Sequence, residues 1–415
     1  MVPHLLTALQ GPISELEQRI LESTPAIERW FRLEWMEHTP AVYSAVAIRN
    51  AGYKLAPTQV DLFPSGWNRL SDAMVPLAAQ AAQAAVEKFC PDARNLLIVP
   101  HNGAQRDADY LLSLSRLRQI FSQAGLHVRL GSIDPDVSKT LSLKLPSGEQ
   151  LALEPAVRSQ GRLQLKHFDP CAILLNSDLY DGVPGILEDL NDQYMLPPLQ
   201  ASWATRLRSR DLVHYEEISK RFGKMLGIDP WLIHPIEEAV GLVDLSTEDG
   251  VARVRASVDS VLARIRRKCK EYGIGERPFV TVKLDNGGDE AGVMTLRDAS
   301  ELPGPSAVQP HLARLIVQEG LQTSERVGQA VAEPVIYTID RYVVGAYYRC
   351  NTRLTEFDSL DAADTTFAAL PFARVDVAEA AQEPNRFYMH GVIARLAMLA
   401  TSYELEAAEL DADGR

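Results

Sequence analysis

A chain of 415 residues exceeds what one ordinary hydrophobic core organises, so two or three packed units are expected. Its hydrophobic fraction of 46% allows a large core, and its net charge of −13 argues against nucleic acid or an anionic membrane as the main partner. The four cysteines lack metal-ligand spacing, which disfavours a zinc site or a disulfide framework and favours the cytoplasm. The N-terminal residues do not resemble a secretory signal, and no apolar run approaches the roughly 20 residues of a membrane span.

Residues 1–245 are predicted to form an α/β layered domain, because apolar strands alternate with helices in a pattern typical of a largely parallel sheet. Helices are predicted over 13–38 (with a new start capped by Thr24), over 72–89, up to about Ala124 and within 202–226. Strands are predicted from about 43, and over 95–103, 126–133 and 171–179. The last of these strands ends in polar residues, at the edge where such sheets place their binding sites.

Residues 246–415 are predicted to form a second unit in which the sheet is predominantly antiparallel. A helix over 248–272 has a valine-rich face, and the basic residues at its C-terminal end are those that a helix dipole favours. Strands are predicted over 279–283, 292–296, 314–318 and 367–373, with a hairpin over 335–349. A closing helix is predicted from about Asn385.

The stretch PFVTVKLDNGGDEAGVMTL places Lys283 in an apolar strand directly before a glycine-rich loop. A lysine that projects from a strand into a cleft can reach a nucleotide phosphate, and glycines let backbone N–H groups approach the other phosphates. Gly287, Gly288 and Gly292 meet that requirement. A β-hairpin with a surface lysine would produce the same pattern, so this loop alone does not distinguish a nucleotide site from an ordinary hairpin.

Two later segments strengthen the nucleotide interpretation. The strand LIVQEGL ends in Gln318 and Glu319, which can present backbone groups to an adenine edge and a carboxylate to a ribose or amino group. The predicted hairpin places Arg349 at its far end, where a cation can stabilise charge on a transferring phosphoryl group. Asp340 at the hairpin tip is predicted to be a turn residue rather than a ligand.

An acidic segment follows the hairpin and supplies the hard oxygen ligands that magnesium prefers. The candidates are Glu356, Asp358, Asp361 and Asp364, with Asp358 and Asp361 favoured. A solvated acidic loop explains the same residues equally well.

Longer phrases carry a resemblance to a known family. IRNAGYKLAP, LFPSGWNRL, IDPWLIHP, KEYGIGERPFVTVK, VQEGLQTSER and AEPVIYTIDRYVVGAYYR resemble the proteobacterial glutamate–cysteine ligase family over about residues 41–404. The order of lysine strand, glycine loop, Gln-Glu strand end and arginine hairpin is similar to that of ATP-grasp ligases. The resemblance implies an ATP-grasp-like region over 246–415 and an amino-acid-binding domain over 1–245.

The resemblance also implies a reaction and a set of roles. ATP with Mg²⁺ would phosphorylate the γ-carboxylate of glutamate, and the amino group of cysteine would attack the acyl phosphate. Matched to the family's motif, Lys283 and Asp285 belong to the nucleotide loop, Gln318 and Glu319 to the adenine end, and Arg349 to the transferring group. The expected partners are small molecules, and a homo-oligomer is left open.

Amino-acid binding is expected from polar residues of the N-terminal half. Arg49, Asn50 and Lys54 lie in one segment and Arg206 and Arg208 in another, where arginines could grip carboxylates in bidentate fashion. Ordinary surface charges would look the same in sequence. At the end of the strand over 95–103, His101 and Asn102 could contact a ligand or cap a helix.

The chain departs from the family at its nucleotide loop. The family's Lys-Ala-Asp-Ala-Gly-Thr-Tyr-Gly-Met-Gly is replaced by Lys-Leu-Asp-Asn-Gly-Gly-Asp-Glu-Ala-Gly, which introduces Asp289 and Glu290. A carboxylate at roughly 4 Å from a phosphate costs about 4 kcal/mol in a surface-like dielectric before screening. Gln59 also replaces an acid after the LAP motif, and Ser359 replaces an asparagine. Three interpretations therefore stay open: a working glutamate–cysteine ligase, a related ligase with other substrates, and a non-catalytic relative.

Overall fold

The structure is a computed structural model that describes residues 12–190, 192–287, 294–305, 307, 311–361, 364–370 and 386–413. Its helices are α1 (Pro12–Glu22), α2 (Thr24–Glu37), α3 (Val75–Phe89), α4 (Ala108–Gln123), α5 (Arg208–Leu226), α6 (Glu248–Tyr272) and α7 (Arg386–Asp413). Its strands are β1 (Tyr43–Asn50), β2 (Leu55–Asp61), β3 (Asn95–Pro100), β4 (His127–Ser132), β5 (Leu141–Lys144), β6 (Gln150–Pro155), β7 (Val157–Ser159), β8 (Arg162–Gln164), β9 (Ala172–Asn176), β10 (Tyr194–Leu196), β11 (Glu237–Asp244), β12 (Val280–Leu284), β13 (Met294–Leu296), β14 (Leu312–Glu319), β15 (Arg326–Val327), β16 (Ala330–Ile339), β17 (Tyr342–Asn351) and β18 (Thr366–Ala369).

The predicted helices form close to their predicted bounds. Helix α6 begins where the Thr247 hydroxyl accepts a hydrogen bond from the Gly250 N–H at 3.1 Å, and it ends at Gly273 in the left-handed region. One detail is wrong: Thr24, predicted as a cap, is the first residue of α2, and its hydroxyl instead donates to the Leu21 carbonyl at the end of α1.

The parallel sheet runs in the order β10-β9-β3-β4-β6-β5. All of its neighbouring pairs are parallel except β5 with β6, which confirms the largely parallel sheet predicted for this part of the chain. Strand β9 is fully buried and ends at Asn176, so the polar residues after it lie at the carboxyl edge of the sheet.

The hairpin sheet runs in the order β18-β17-β16-β1-β2, and its pairs are antiparallel. The predicted hairpin forms its centre, with Asp340 in the turn at a φ of 51°. Strands β1 and β2 come from the N-terminal half and pair beside β16. The boundary predicted between residues 245 and 246 therefore separates strands that share one sheet.

The lysine sheet is antiparallel and runs in the order β11-β14-β12-β13. It carries Lys283 on β12 and ends β14 with Glu319. Strand β11 was not predicted because a register shift between Ala239 and Gly241 breaks the period-two alternation of its side chains. This sheet also crosses the predicted boundary, since β11 precedes residue 246.

Helix α7 closes the fold by packing on β1, β2 and β16 and on α5. Its inward side chains, including Val392, Ile393, Leu396 and Leu399, are wholly buried, as predicted for the closing helix. One face of the hairpin sheet is thereby covered. Helix α3 packs on β16 and β17, and another part of the sheet lines a cavity. No helix within the described residues combines the length and apolarity needed to cross a membrane.

Candidate active site

A cavity of about 530 Å³ lies between the hairpin sheet and the lysine sheet. Lys283 and Arg349 line it together, although they belong to different sheets. Other predicted site residues that line it are Arg49, Arg208, Gly287, Gln318, Glu319 and Asp361. The tertiary fold thus brings most of the predicted nucleotide residues to one place.

At one end of the cavity, Lys283 begins a chain of polar contacts. Its Nζ donates to Gln318 Oε1 at 2.9 Å, and Gln318 Nε2 donates to Glu237 Oε2 at 2.9 Å. Burial raises the pKa of Glu237 to about 8, although the Gln318 hydrogen bond and the nearby Lys283 charge act in the opposite direction. Glu237 is therefore largely protonated at neutral pH.

Asp285 and Gly287 shape the segment that follows the lysine. The buried Asp285 carboxylate accepts hydrogen bonds from the backbone N–H and hydroxyl of Ser209, and its carbonyl accepts from Arg208 N–H at 2.7 Å. Asp285 thereby caps the first turn of α5 and fixes the backbone of Arg208. It does not line the cavity.

Gly287 has a φ of 71°, and a Cβ there would stand 2.1 Å from the Trp203 ring. Glycine is required at this position because the backbone passes directly against an indole. Trp203 in turn lies beneath the guanidinium of Arg208, 5.1 Å from its ring centroid. Gly288 and Gly292, like Asp289 and Glu290, lie outside the described residues.

Glu319 and Lys54 form a fully buried ion pair at 2.6 Å. Ile236 N–H and Trp231 Nε1 also donate to the Glu319 carboxylate, at 2.7 and 3.2 Å. Burial lowers the pKa of Lys54 to about 8, against the opposing influence of Glu319. The Glu319 side chain therefore anchors β14 to its surroundings, while Lys54 is enclosed and does not line the cavity.

Arg349 at the other end lies in a network of opposite charges. Its Nη1 is 3.6 Å from Glu333 and 3.7 Å from Asp361. Glu333 also pairs with Arg49 Nε at 2.8 Å, so one carboxylate bridges two arginines. Burial alone would lower the pKa of Arg349, but Asp361, Tyr347 and Glu333 raise it above its usual value, so the guanidinium stays charged.

The two predicted metal ligands are placed differently. Asp361 is partly exposed and lines the cavity beside Arg349. The Asp358 carboxylate instead accepts from the Thr355 N–H and hydroxyl at 2.8 and 2.7 Å, in a local turn outside the cavity lining. No group of three or more metal-ligating side chains is found in the part of the chain that the structure describes.

Besides Lys54, three predicted substrate residues lie away from this cavity. Asn50 is wholly buried and donates to Glu325 at 3.2 Å, which is a structural contact. Arg206 pairs with Glu404 at 2.7 Å and borders only a small adjoining pocket. Asn102, with His101, borders a cavity of about 900 Å³ at the carboxyl edge of the parallel sheet.

A family profile described as glutamate-cysteine ligase matches residues 17–405. The chain belongs to the glutamate–cysteine ligase family. A solved structure of a protein from Methylobacillus flagellatus KT, named provisionally as a gamma-glutamylcysteine synthetase, is 43% identical with a TM-score of 0.90. The alignment covers 98% of this chain and 99% of that one. Together these relatives support an ATP-dependent ligase.

Two other solved structures are more distant. A glutathione synthetase-like effector from Globodera pallida is 10% identical with a TM-score of 0.38, over 82% of this chain and 78% of its own. The D-alanyl-alanine synthetase A of Vibrio cholerae is 10% identical with a TM-score of 0.34, over 73% and 81%. These likenesses are too weak to inform the site. A comparison with curated proteins finds no match.

The site of this glutamate–cysteine ligase family member also contains acids that the sequence reasoning missed. Asp61, at the end of β2, and Asp178, just after β9, both line the main cavity. The pKa of Asp61 is raised to about 6, mainly by burial and also by the charges of Asp178 and Asp361, against the Phe63 N–H and Arg349, which lower it. Strand β2 was not predicted, so nothing in the sequence marked Asp61 as the end of a strand.

Proposed function

We propose that this protein is an ATP-dependent carboxylate–amine ligase that joins the γ-carboxylate of glutamate to the amino group of cysteine. One observation carries the proposal: Lys283 and Arg349, which matched the family's nucleotide motif, line the same cavity from two different sheets. A cavity with two separated cations suits ATP, because one cation can hold the phosphates that remain while the other contacts the phosphoryl group that is transferred. The amino-acid-binding role given to residues 1–245 and the nucleotide-binding role given to 246–415 are part of this proposal.

The proposed reaction has two steps. A carboxylate oxygen attacks the γ-phosphorus of ATP, the bond to the β-phosphate oxygen breaks, and ADP leaves. The amine then attacks the acyl carbon, phosphate leaves with the electron pair of the C–O bond, and the amine loses a proton. Arg349 would stabilise charge on the transferring group, and Lys283 would hold the phosphates that remain.

The residues present fit Mg²⁺ as a phosphate-bound ion. Magnesium usually takes one or two carboxylates and several phosphate or water oxygens, so a complete protein cage is not required. Asp361 can supply a carboxylate oxygen, with Asp61 and Asp178 in the same cavity. When bound, the ion would neutralise phosphate charge. Independently of the ion, Asp361 also helps to position Arg349, whose Nη1 lies 3.7 Å from it.

ADP release and product mass test the proposal. The purified protein is given ATP and magnesium with glutamate and cysteine, and then with each amino acid replaced singly. A product with the mass of γ-glutamylcysteine supports the proposal. ADP release only with another amine, an outcome that the altered Asp289–Glu290 loop sequence would suit, replaces it with a related ligase. Calorimetry that shows no nucleotide binding would leave a non-catalytic relative.

A further inference from the structure

A second cavity, of about 490 Å³, opens on the same face of the hairpin sheet. It shares Gln59, Asp61, Arg349 and Asp361 with the main cavity, so the two meet at the arginine end. The resemblance to the ligase family assigns no ligand to this cavity. Its position beside Arg349 is where a carboxylate would have to lie to meet a phosphoryl group held there.

The floor of this cavity is made of small side chains. Ala47 is paired with Val335, and Ala45 is paired with Tyr337 and Asp61. Because neighbours across a sheet project from the same face, these residues form a shallow depression between larger walls. Tyr347 and Phe367 stand on the far side. The depression suits a short aliphatic chain with charged ends.

Arg69 closes the end of the depression away from the main cavity. Its Nη2 donates to Asp109 at 2.7 Å and its Nη1 to the Tyr347 hydroxyl at 3.2 Å, and its guanidinium stacks 3.4 Å above the Phe367 ring centroid. Its Nε is buried without a hydrogen-bond partner among the described residues. A buried donor without a partner destabilises the folded state, so the position of this cation calls for an explanation.

The loop before Arg69 is built to hold it. Gly66 has a φ of 83°, and a Cβ there would stand 2.9 Å from the Tyr337 hydroxyl and 3.0 Å from Arg69 Nη1. Any other residue would push apart the groups that position the guanidinium. Gly66 and Arg69 both belong to the LFPSGWNRL phrase.

Asp61 gives the depression a negative side. It borders the main cavity, this cavity and the larger one at the parallel sheet. Its Oδ1 accepts from the Phe63 N–H at 2.8 Å, which fixes the carboxylate against β2. Asp109 and Asp361 also line the depression and pair with Arg69 and Arg349. An amino acid with two carboxylates would add a further acceptor to each arginine, while its ammonium meets Asp61.

We infer that this depression binds the amino acid whose carboxylate is activated, with its α-carboxylate on Arg69, its α-ammonium on Asp61 and its second carboxylate toward Arg349. The inference rests on the proposed ligase function and assigns its acidic substrate to residues from both halves of the chain. It replaces Arg206, Asn50 and Lys54, none of which lines this depression, as the expected amino-acid site.

Kinetics of Arg69→Lys and Asp61→Asn test the assignment. Lysine keeps the charge of Arg69 but loses its bidentate fork, so we expect the KM for glutamate to rise at least about tenfold while the KM for ATP stays within about twofold. Arg118→Lys is the matched control, since Arg118 pairs with Glu149 on the surface. Equal changes in both KM values, or none, overturn the assignment.

Calorimetry separates this inference from the proposed function. Glutamate and aspartate are titrated into the intact protein and into the folded variants, each checked by thermal unfolding, with and without a non-hydrolysable ATP analogue. Binding by the parent that is weakened in Arg69→Lys supports the site even if no ligation occurs. A parent that binds neither amino acid, or variants that bind as the parent does, overturns it. If the protein binds the amino acid but no nucleotide, the result contradicts the proposed ligase function and leaves the amino-acid site supported.

A separate observation concerns Cys90 and Cys171. Cys90 caps the C-terminus of α3 and Cys171 directly precedes β9, yet their Sγ atoms are 2.8 Å apart. Both are partly exposed, whereas Cys269 and Cys350 are buried. Burial, with Cys90 nearby, raises the pKa of Cys171 to about 11, so the Cys171 thiol is protonated at neutral pH and reacts slowly with oxidants.

We propose that Cys90 and Cys171 form a reversible disulfide with a low-molecular-weight disulfide as the oxidant. One protein thiolate attacks the oxidant and releases a thiol, and the second thiolate then attacks the mixed disulfide and releases another. The protein loses two protons and two electrons, and the oxidant becomes two thiols. The link would tie α3 to the parallel sheet.

Peptide mapping without reduction tests the disulfide after exposure to oxidised glutathione. We expect one cross-linked peptide pair containing Cys90 and Cys171, which dithiothreitol separates. In Cys90→Ser, Cys171 should instead keep a glutathione adduct or remain open to alkylation. Alkylation of both cysteines in the oxidised parent, or pairing with Cys269 or Cys350, would overturn the proposal.

Discussion

The two ends of the main cavity hold their cations in different ways. Lys283 donates to the amide of Gln318, which continues to a carboxyl group that burial keeps largely protonated. Arg349 lies between the carboxylates of Glu333 and Asp361, and Glu333 also pairs with Arg49. One hydrogen-bond chain at the lysine end therefore runs through an amide, whereas the arginine end holds its cation between two carboxylates.

This difference suggests a division of work. A lysine ammonium is a compact point charge on a flexible stem, which favours binding of an incoming polyanion. An arginine fixed by carboxylates contributes less net charge but is held rigidly, which favours stabilisation of a charge at one defined position. We expect substitutions at the two ends to separate nucleotide affinity from turnover.

The largest effect is expected at the arginine end. Arg349→Ala should lower kcat by about 10³-fold, because it removes a preorganised cation from the transferring group, with a smaller change in ATP affinity. Steady-state ADP release measures the first quantity and calorimetry the second. Arg341→Ala, at the exposed tip of the same hairpin, is the control. A loss confined to ATP affinity would reverse the proposed division.

The buried pair beneath the lysine end should dominate stability. Lys54→Met leaves the Glu319 carboxylate enclosed without its cation, which should lower the free energy of unfolding by about 3 kcal/mol or more. Denaturant unfolding measures this change. The double variant Lys54→Met with Glu319→Gln removes the stranded charge and should recover part of the loss. If the single variant were as stable as the parent, the pair would not be an anchor.

At the lysine end itself, Lys283→Ala should weaken ATP–Mg binding from the micromolar range by about 10- to 100-fold, the scale of one charge-assisted contact. Calorimetry with ATP and magnesium tests this. Lys220→Ala, which removes an exposed lysine paired with Glu216 on α5, should change the affinity little. Equal affinities for the Lys283 variant and the parent would remove the lysine from the site.

The last expected effect concerns the pH dependence of stability. The folded-state pKa of Glu237 is raised to about 8 from 4.5. The stabilisation of the folded state by protonated Glu237 is therefore fully present below pH 4.5 and is lost as pH rises toward 8. Glu237→Gln stays neutral throughout, so its stability relative to the parent should increase between about pH 5 and about pH 8. Urea midpoints at several pH values measure this, and parallel profiles would contradict it.

Local sequence patterns predicted the elements well where one period governs them. Helix α6 and strands β3 and β9 follow from apolar periodicity and caps. The site was harder to predict because a cation in sequence does not show its partner. Arg49, Lys54 and Arg206 looked like open substrate ligands, but each is paired with a carboxylate more than a hundred residues away. Burial of a charge requires such a partner, and only the fold supplies it.

The sequence by itself determined the family, the helices, the parallel sheet and the candidates Lys283 and Arg349, because these depend on neighbouring residues or on long matching phrases. The tertiary structure decided which candidates meet. A bulge between Tyr337 and Thr338 shifts the hairpin register by one residue and sets Glu333, rather than Ala332, opposite Arg349. Strands β1 and β2 then bring Asp61 to the same face. Side-chain direction reverses with each residue of a strand, so the composition of the cavity depends on register, which no local pattern fixes.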